Sequence, residues 1–142
     1  MESKPVLEVK VDISNPGFRM KTELGDVSMI PFAGRVQGEL FTGIVEPWGV
    51  DTQLLNQIGI RHMSARYMLT GKDRGGNDCH IYVENNGWLL DDKPSRTFRT
   101  VPTFYTDSEL LAPYLHRDQF YGIGSVEEDG LWIRFYEIER KQ

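Results

Sequence analysis

Short segments in which hydrophobic and polar residues alternate are the dominant pattern of this chain. From Leu7 to Ile13 every second residue is apolar, and charged residues stand between them. Because successive side chains of a β-strand point to opposite faces, this alternation predicts a strand with one buried face. Asn15-Pro16-Gly17 ends it, since proline and glycine both interrupt a strand's hydrogen-bond ladder.

A long β-hairpin is predicted in the middle of the chain. Residues 61–71 and 79–88 both have strand character, and the loop between them is polar and contains two glycines. A register centred on that loop places Arg66 opposite Glu84 and predicts a cross-strand ion pair on the outer face. The odd-numbered residues of both strands then form the apolar face that packs into the core.

The remaining segments complete an all-β domain. Further strands are predicted at 28–32, 35–40, 41–45, 50–57, 98–106, 119–126 and 131–139. Ser108 and Pro113 mark a short helical turn near 108–116, as N-cap and as helix breaker. We therefore expect a single antiparallel β-barrel of about eight to ten strands spanning residues 1–142. The 14 glycines favour a barrel over a sandwich, because closing a small sheet requires kinks and bulges.

Composition narrows the possible functions. The chain has 16 lysines and arginines against 21 aspartates and glutamates, so its net charge of −5 argues against nucleic acid as a partner. The N-terminal segment has no signal-peptide hydrophobic region, and no apolar run is long enough to cross a membrane. We expect a soluble cytoplasmic protein that does not engage membranes. A homodimer is left open, because edge strands such as 98–106 can pair between two copies.

The sequence predicts neither a metal site nor a cofactor. Nucleotide-binding, nucleophile-elbow and zinc-protease motifs are absent. His62 and His80 lie at opposite ends of the predicted hairpin, too far apart to share a metal ion. The single cysteine, Cys79, excludes an internal disulfide and is expected to be an inert, buried thiol.

Five residues are candidates for a site inside the barrel. Asp51 and Gln53 follow the Trp48-Gly49 turn and can point into the barrel mouth, although Asp51 can equally hold the turn through backbone amides. Tyr67 and Asn85 fall on the apolar face of the hairpin. The Tyr67 hydroxyl and the Asn85 amide need hydrogen-bond partners on this buried face. They can bond to each other, to the backbone or to a ligand.

Arg99 is the fifth candidate, and its role depends on which way it points. It alternates with Val101 and Thr103 in a predicted strand. An arginine facing the interior of a small barrel would require a buried partner or an anionic ligand.

Several runs of the chain, taken in order, resemble a known family. They are Gly49–Gln53, Ala65–Thr70, Ile81–Gly87, Phe98–Phe104 and Phe120–Gly124. The family consists of small bacterial and fungal proteins and is catalogued as domain of unknown function three-two-three-seven and as uncharacterised protein family three-one-one. The resemblance implies a lipocalin-like antiparallel β-barrel and implies no particular reaction, cofactor or substrate.

Three functions are compatible with such a barrel. The first is binding of a small, partly apolar molecule by Asp51, Gln53, Tyr67, Asn85 and Arg99. The second is a cofactor-free isomerase, cyclase or hydratase in which Asp51 is the general base and Arg99 or Tyr67 stabilises negative charge. The third is a structural or interaction module whose barrel is filled by its own side chains.

Overall fold

The computed structural model describes residues 4–90, 95–117 and 119–139. Its elements are β1 Leu7–Asp12, β2 Phe18–Thr22, β3 Gly25–Gln37, β4 Phe41–Leu55, β5 Ile60–Asp73, β6 Asp78–Leu90, β7 Thr97–Thr106, α1 Ala112–Leu115, β8 Phe120–Glu127 and β9 Gly130–Glu137. No helix in these ranges is both long and apolar enough to span a membrane.

Eight antiparallel strands close into a barrel, as predicted. The strand order is β1-β9-β8-β7-β6-β5-β4-β3-β2, and β1 also pairs with the C-terminal part of β3. That pairing closes the barrel. The ninth strand, β2, pairs with the N-terminal part of β3 and extends the sheet beyond the closed part.

Two strands are longer than the sequence pattern predicted. The segment 28–32 and the first half of 35–40 lie in the continuous β3, and 41–45 and most of 50–57 lie in the continuous β4. The β3–β4 register shifts between Phe32 and Gly34, so the interruption predicted between 28–32 and 35–40 is a bulge within paired strands. The five-residue strand β2 was not predicted.

The central hairpin has the predicted register. Arg66 pairs with Glu84 across β5 and β6, and their side chains form an ion pair of 3.2 Å on the outer face. Tyr67 and Leu69 point the other way and are buried. The odd-numbered residues therefore face the interior, as the alternation predicted.

The end of the barrel beside α1 is filled by its own side chains. The large, fully buried residues there include Phe41, Leu69, Ile81, Leu111, Leu115 and Phe135. The Phe104 ring packs edge-on against Phe120 and Phe135, with centroid distances of 5.4 and 5.2 Å. These side chains fill the barrel interior at this end, so a site inside the barrel would lie toward the other end.

The helical turn is held to this filled end by polar contacts as well. The Ser108 hydroxyl accepts a hydrogen bond from the Leu111 backbone N–H at 3.1 Å, as a residue that caps a helix does. The same hydroxyl donates to Asp73 at 2.8 Å, which joins the turn to the β5–β6 loop.

Candidate functional site

A cavity of about 70 Å³ lies inside the barrel toward the end opposite α1. Inward-facing residues of β1, β3–β7 and β9 line it. Most are apolar, and they include Ile30, Phe32, Met63, Phe98, Leu131 and Ile133. Such a lining, with a few polar groups among apolar residues, is typical of small-molecule sites.

Four polar side chains face this cavity, each with a buried oxygen that has no hydrogen-bond partner. The atoms are Asp51 Oδ1, Tyr67 OH, Asn85 Oδ1 and Thr100 Oγ1. They come from four neighbouring strands, β4 to β7, and the register brings them together. Asp51 pairs with Ala65, which in turn pairs with Asn85 on β6. Thr100 pairs with Gly87, which is the next inward-facing residue after Asn85 on β6.

The Asp51 carboxyl is bonded by the Gln53 side chain, and a hydrogen bond from the Ser64 backbone also acts on it. Its Oδ2 accepts a hydrogen bond of 2.7 Å from the Gln53 side-chain amide, and Gln53 Oε1 accepts one of 3.0 Å from Arg61. Burial raises the pKa of Asp51 above its ordinary value, and the bond from Gln53 and the charges of Arg61 and His62 oppose the rise. The uncharged carboxylic acid is thereby favoured relative to an exposed aspartate.

Tyr67 supplies an uncharged hydroxyl beside this carboxyl. Its ring packs edge-on against Phe32 with a centroid distance of 5.1 Å, and only 3% of the residue is exposed. Burial, together with the nearby Asp51, raises the pKa of Tyr67 far above its ordinary value. Tyr67 therefore acts as a neutral donor or acceptor.

Glycine makes room for the Phe98 ring and the Thr100 hydroxyl in the opposite wall. A Cβ on Gly124 would lie 2.1 Å from the Phe98 ring, and one on Gly122 would lie 2.2 Å from Thr100 Oγ1. Any larger residue at either position would push these side chains away, because real Cβ atoms do not approach so closely.

Arg99 does not belong to this site. It is exposed, and its guanidinium carbon stacks over the Tyr121 ring at 4.6 Å on the outer face. Its neighbours Phe98 and Thr100 face inward instead. The sequence left open which side of β7 faces inward, and the structure places Arg99 on the outer side, so Arg99 cannot serve as a polar handle inside the barrel.

The other four candidate residues lie together in the structure. Asp51, Tyr67 and Asn85 line the cavity, and Gln53 reaches it through its bond to Asp51. Thr100 was missed, although a signal for it exists. The apolar residues Phe98, Pro102 and Phe104 share its parity, which marks that parity as the inward one.

A metal centre is not formed here. Within residues 4–90, 95–117 and 119–139, no three histidine, cysteine, aspartate or glutamate side chains are grouped so that they could hold a metal ion. His62 instead stacks flat on Trp88 on the outer face of the sheet, at a centroid distance of 4.6 Å. His80 lies at the other end of the hairpin and bonds Asp107 at 2.8 Å.

The fold and this cavity define a small lipocalin-like barrel that encloses a partly polar cavity. The chain belongs to the family described as "Protein of unknown function (DUF3237)", whose model matches residues 1–138.

Known relatives agree with this assignment over nearly the whole chain. An uncharacterised UPF0311 protein of Clostridium acetobutylicum is 27% identical over 154 residues, covering 97% of this chain and 94% of the relative. A crystal structure of a protein of unknown function from the same species has a TM-score of 0.76 at 26% identity, covering 98% of this chain and 97% of that one. A structure described as an enzyme from Penicillium herquei has a TM-score of 0.63 at 14% identity, covering 97% and 94%, a likeness of fold alone.

Proposed function

We propose that this protein binds a small, partly apolar molecule in the barrel cavity. The observation that carries the proposal is the group of four unpartnered oxygens, on Asp51, Tyr67, Asn85 and Thr100, that face one cavity. A buried polar group without a partner costs about 1–3 kcal/mol, so four of them in one place are expensive. A ligand that bonds to these oxygens would recover part of that cost.

The size of the cavity restricts how such a ligand sits. Pockets for drug-sized ligands have volumes of roughly 300–1,000 Å³, far above the 70 Å³ available here. A larger molecule would therefore insert one compact end among the polar residues. Its apolar remainder would lie at the mouth against residues such as Ile13, which is 53% exposed.

The test is a search for retained or stabilising ligands. Native mass spectrometry of the purified protein, followed by a thermal-shift screen of a metabolite library, should reveal at least one bound molecule. At 100 times its dissociation constant, such a ligand adds about 2.7 kcal/mol to the free energy of unfolding.

A cavity-filling variant makes the screen specific. Ala65 lines the cavity, so Ala65→Val should occupy the space and abolish the ligand-induced shift. The matched control is Val101→Ile on the outer face, where Val101 is 52% exposed, and it should respond like the wild type. A hit that stabilises Ala65→Val as strongly as the wild type would place binding elsewhere and contradict the proposal.

Catalysis in the same cavity is the second candidate, and the state of Asp51 favours it. A carboxyl whose pKa is raised by burial, with Oδ1 free to face a ligand, has the properties of a general acid or base. Tyr67 and Thr100, rather than Arg99, would stabilise developing negative charge.

Asp51→Asn separates binding from catalysis once a ligand is known. For an isomerase, cyclase or hydratase, the variant should lose turnover of that ligand and retain most of the affinity. Equal loss of turnover and affinity would count against catalysis by Asp51.

A further inference from the structure

The side chains that line the cavity restrict the charge of the ligand group that can enter it. We infer that the group inserted into the cavity is an uncharged hydrogen-bond donor, such as an alcohol or a primary amide, and is neither an anion nor an ammonium ion. This inference rests on the proposed function, since it concerns the occupant of the same cavity.

An anionic head group would contact no positively charged side chain among the described residues that line the cavity. Among the described residues that line the cavity, none is a lysine, arginine or histidine. Arg99 lies on the outer face, and Arg61 bonds Gln53 Oε1 and is not among the residues that line the cavity. A carboxylate or phosphate would lose its hydration and would also face Asp51, both of which are unfavourable.

An ammonium head group is matched poorly as well. Of the four unpartnered oxygens only the one on Asp51 is able to pair with a cation as a carboxylate, and that carboxyl already accepts a bond from Gln53. The positive charges of Arg61 and His62 also act on the Asp51 carboxyl. Burying a new ion pair there would cost more in lost hydration than one such contact returns.

A neutral donor satisfies the site. Asn85 Oδ1 can only accept, whereas the hydroxyls of Tyr67 and Thr100 can both donate and accept. An alcohol O–H would donate to Asn85 or Asp51, and its oxygen would accept from Tyr67 or Thr100. One small group thus completes two or more of the missing hydrogen bonds.

Three probes of similar shape test the inference: benzyl alcohol, benzoate and benzylamine at pH 7. Each is titrated into ¹⁵N-labelled protein, and affinity is measured from the chemical shifts of the Gly87 backbone amide and the Asn85 side-chain amide. Benzyl alcohol should bind at least tenfold more tightly than either charged probe.

A matched pair of tyrosine variants adds a second readout. Tyr67→Phe removes one hydroxyl from the cavity and should weaken benzyl alcohol binding several-fold. Tyr105→Phe removes a hydroxyl from a residue that is 63% exposed on the outer face, and it should leave the affinity unchanged.

The outcomes separate the two proposals. Equal or tighter binding of benzoate or benzylamine at the cavity signals would overturn the inference and leave ligand binding standing. Undiminished binding of benzyl alcohol to Tyr67→Phe would also overturn it. If none of the probes moves the cavity signals, and the metabolite screen finds no ligand, the proposed function itself fails.

Discussion

The two ends of this barrel use the same strands for opposite purposes. At the α1 end, Leu7, Phe41 and Phe135 are at most 1% exposed and pack against aromatic and aliphatic neighbours. At the other end the same strands enclose a cavity. The fold thus does not need every inward position for its core, since one packed end can support an end that is only partly filled.

Two aspartates show the difference most clearly. Asp73, at the filled end, accepts hydrogen bonds from the Ser108 hydroxyl and from the backbone N–H groups of Gly75 and Asn77. These bonds lower its pKa, with the one from Ser108 the largest cause. Asp51, at the cavity end, has an unpartnered oxygen and a raised pKa. The same side chain stabilises the fold in one setting and is available for a ligand in the other.

The largest expected effect is a loss of packing at the filled end. Phe135→Ala removes a side chain that is 0% exposed, and it should lower the free energy of unfolding by about 3–5 kcal/mol. Phe98→Ala, at the half-buried mouth of the cavity, should lower the free energy of unfolding clearly less than Phe135→Ala does. Urea denaturation measures both, and equal losses would show that the two ends contribute alike to stability.

The two aspartates should respond to pH with opposite signs. The lowered pKa of Asp73 means that its carboxylate stabilises the fold above the unfolded value of about 3.8, and that this contribution is lost as the pH falls through the lower folded pKa. The raised pKa of Asp51 means that ionisation destabilises the fold as the pH rises from about 3.8 through the higher folded value.

Asparagine variants reveal these signs in denaturation experiments between pH 3 and pH 7. Asp73→Asn should be less stable than the wild type at pH 7, and Asp51→Asn more stable. Both differences should shrink at the acid end. A destabilised Asp51→Asn at pH 7 would mean that its carboxylate is better satisfied than its geometry shows.

A pair of tyrosines extends the comparison to smaller effects. Tyr114, in α1, donates its hydroxyl hydrogen to Glu137 at 2.8 Å, and its pKa is raised to about 12, first by burial and then by that bond. Tyr114→Phe should cost about 1 kcal/mol, because the hydrogen bond is lost. Tyr67→Phe should be neutral or slightly stabilising in the ligand-free protein, because its buried hydroxyl has no partner. The same denaturation assay measures both, and a clear loss in Tyr67→Phe would contradict an unpartnered hydroxyl.

Alternation predicted the fold well because it is a local signal. It identified the barrel class and the central hairpin with its register, and through that register it placed Tyr67 and Asn85 on the inner face. Asp51 and Gln53 were found from the turn that precedes them. Strand continuity through the β3 and β4 irregularities was not predictable, since it depends on neighbouring strands that hold the chain across a bulge.

The cavity itself could not be derived from alternation. Whether inward side chains fill a barrel depends on how residues distant in sequence fit together, such as Gly124 beneath the Phe98 ring. The hydrogen bonds from Arg61 to Gln53 and from Gln53 to Asp51 likewise join two strands. They form only when these side chains adopt particular conformations, which alternation does not predict.

The smallest expected effect concerns Arg99, the candidate site residue that the structure places on the outer face. Arg99 contributes a cation–π contact with Tyr121 on the outer surface, so Arg99→Ala should cost about 0.5–1 kcal/mol and leave ligand affinity within twofold of the wild type. Thr100 is the neighbour of Arg99 and faces inward, so Thr100→Val should change ligand affinity rather than stability. Its stability should be nearly unchanged, because the lost hydroxyl has no partner, while affinity falls several-fold. Denaturation and ligand titration of the two variants measure both quantities. A tenfold loss of affinity in Arg99→Ala would show that the outer face of β7 takes part in binding, and the cavity would then no longer account for recognition alone.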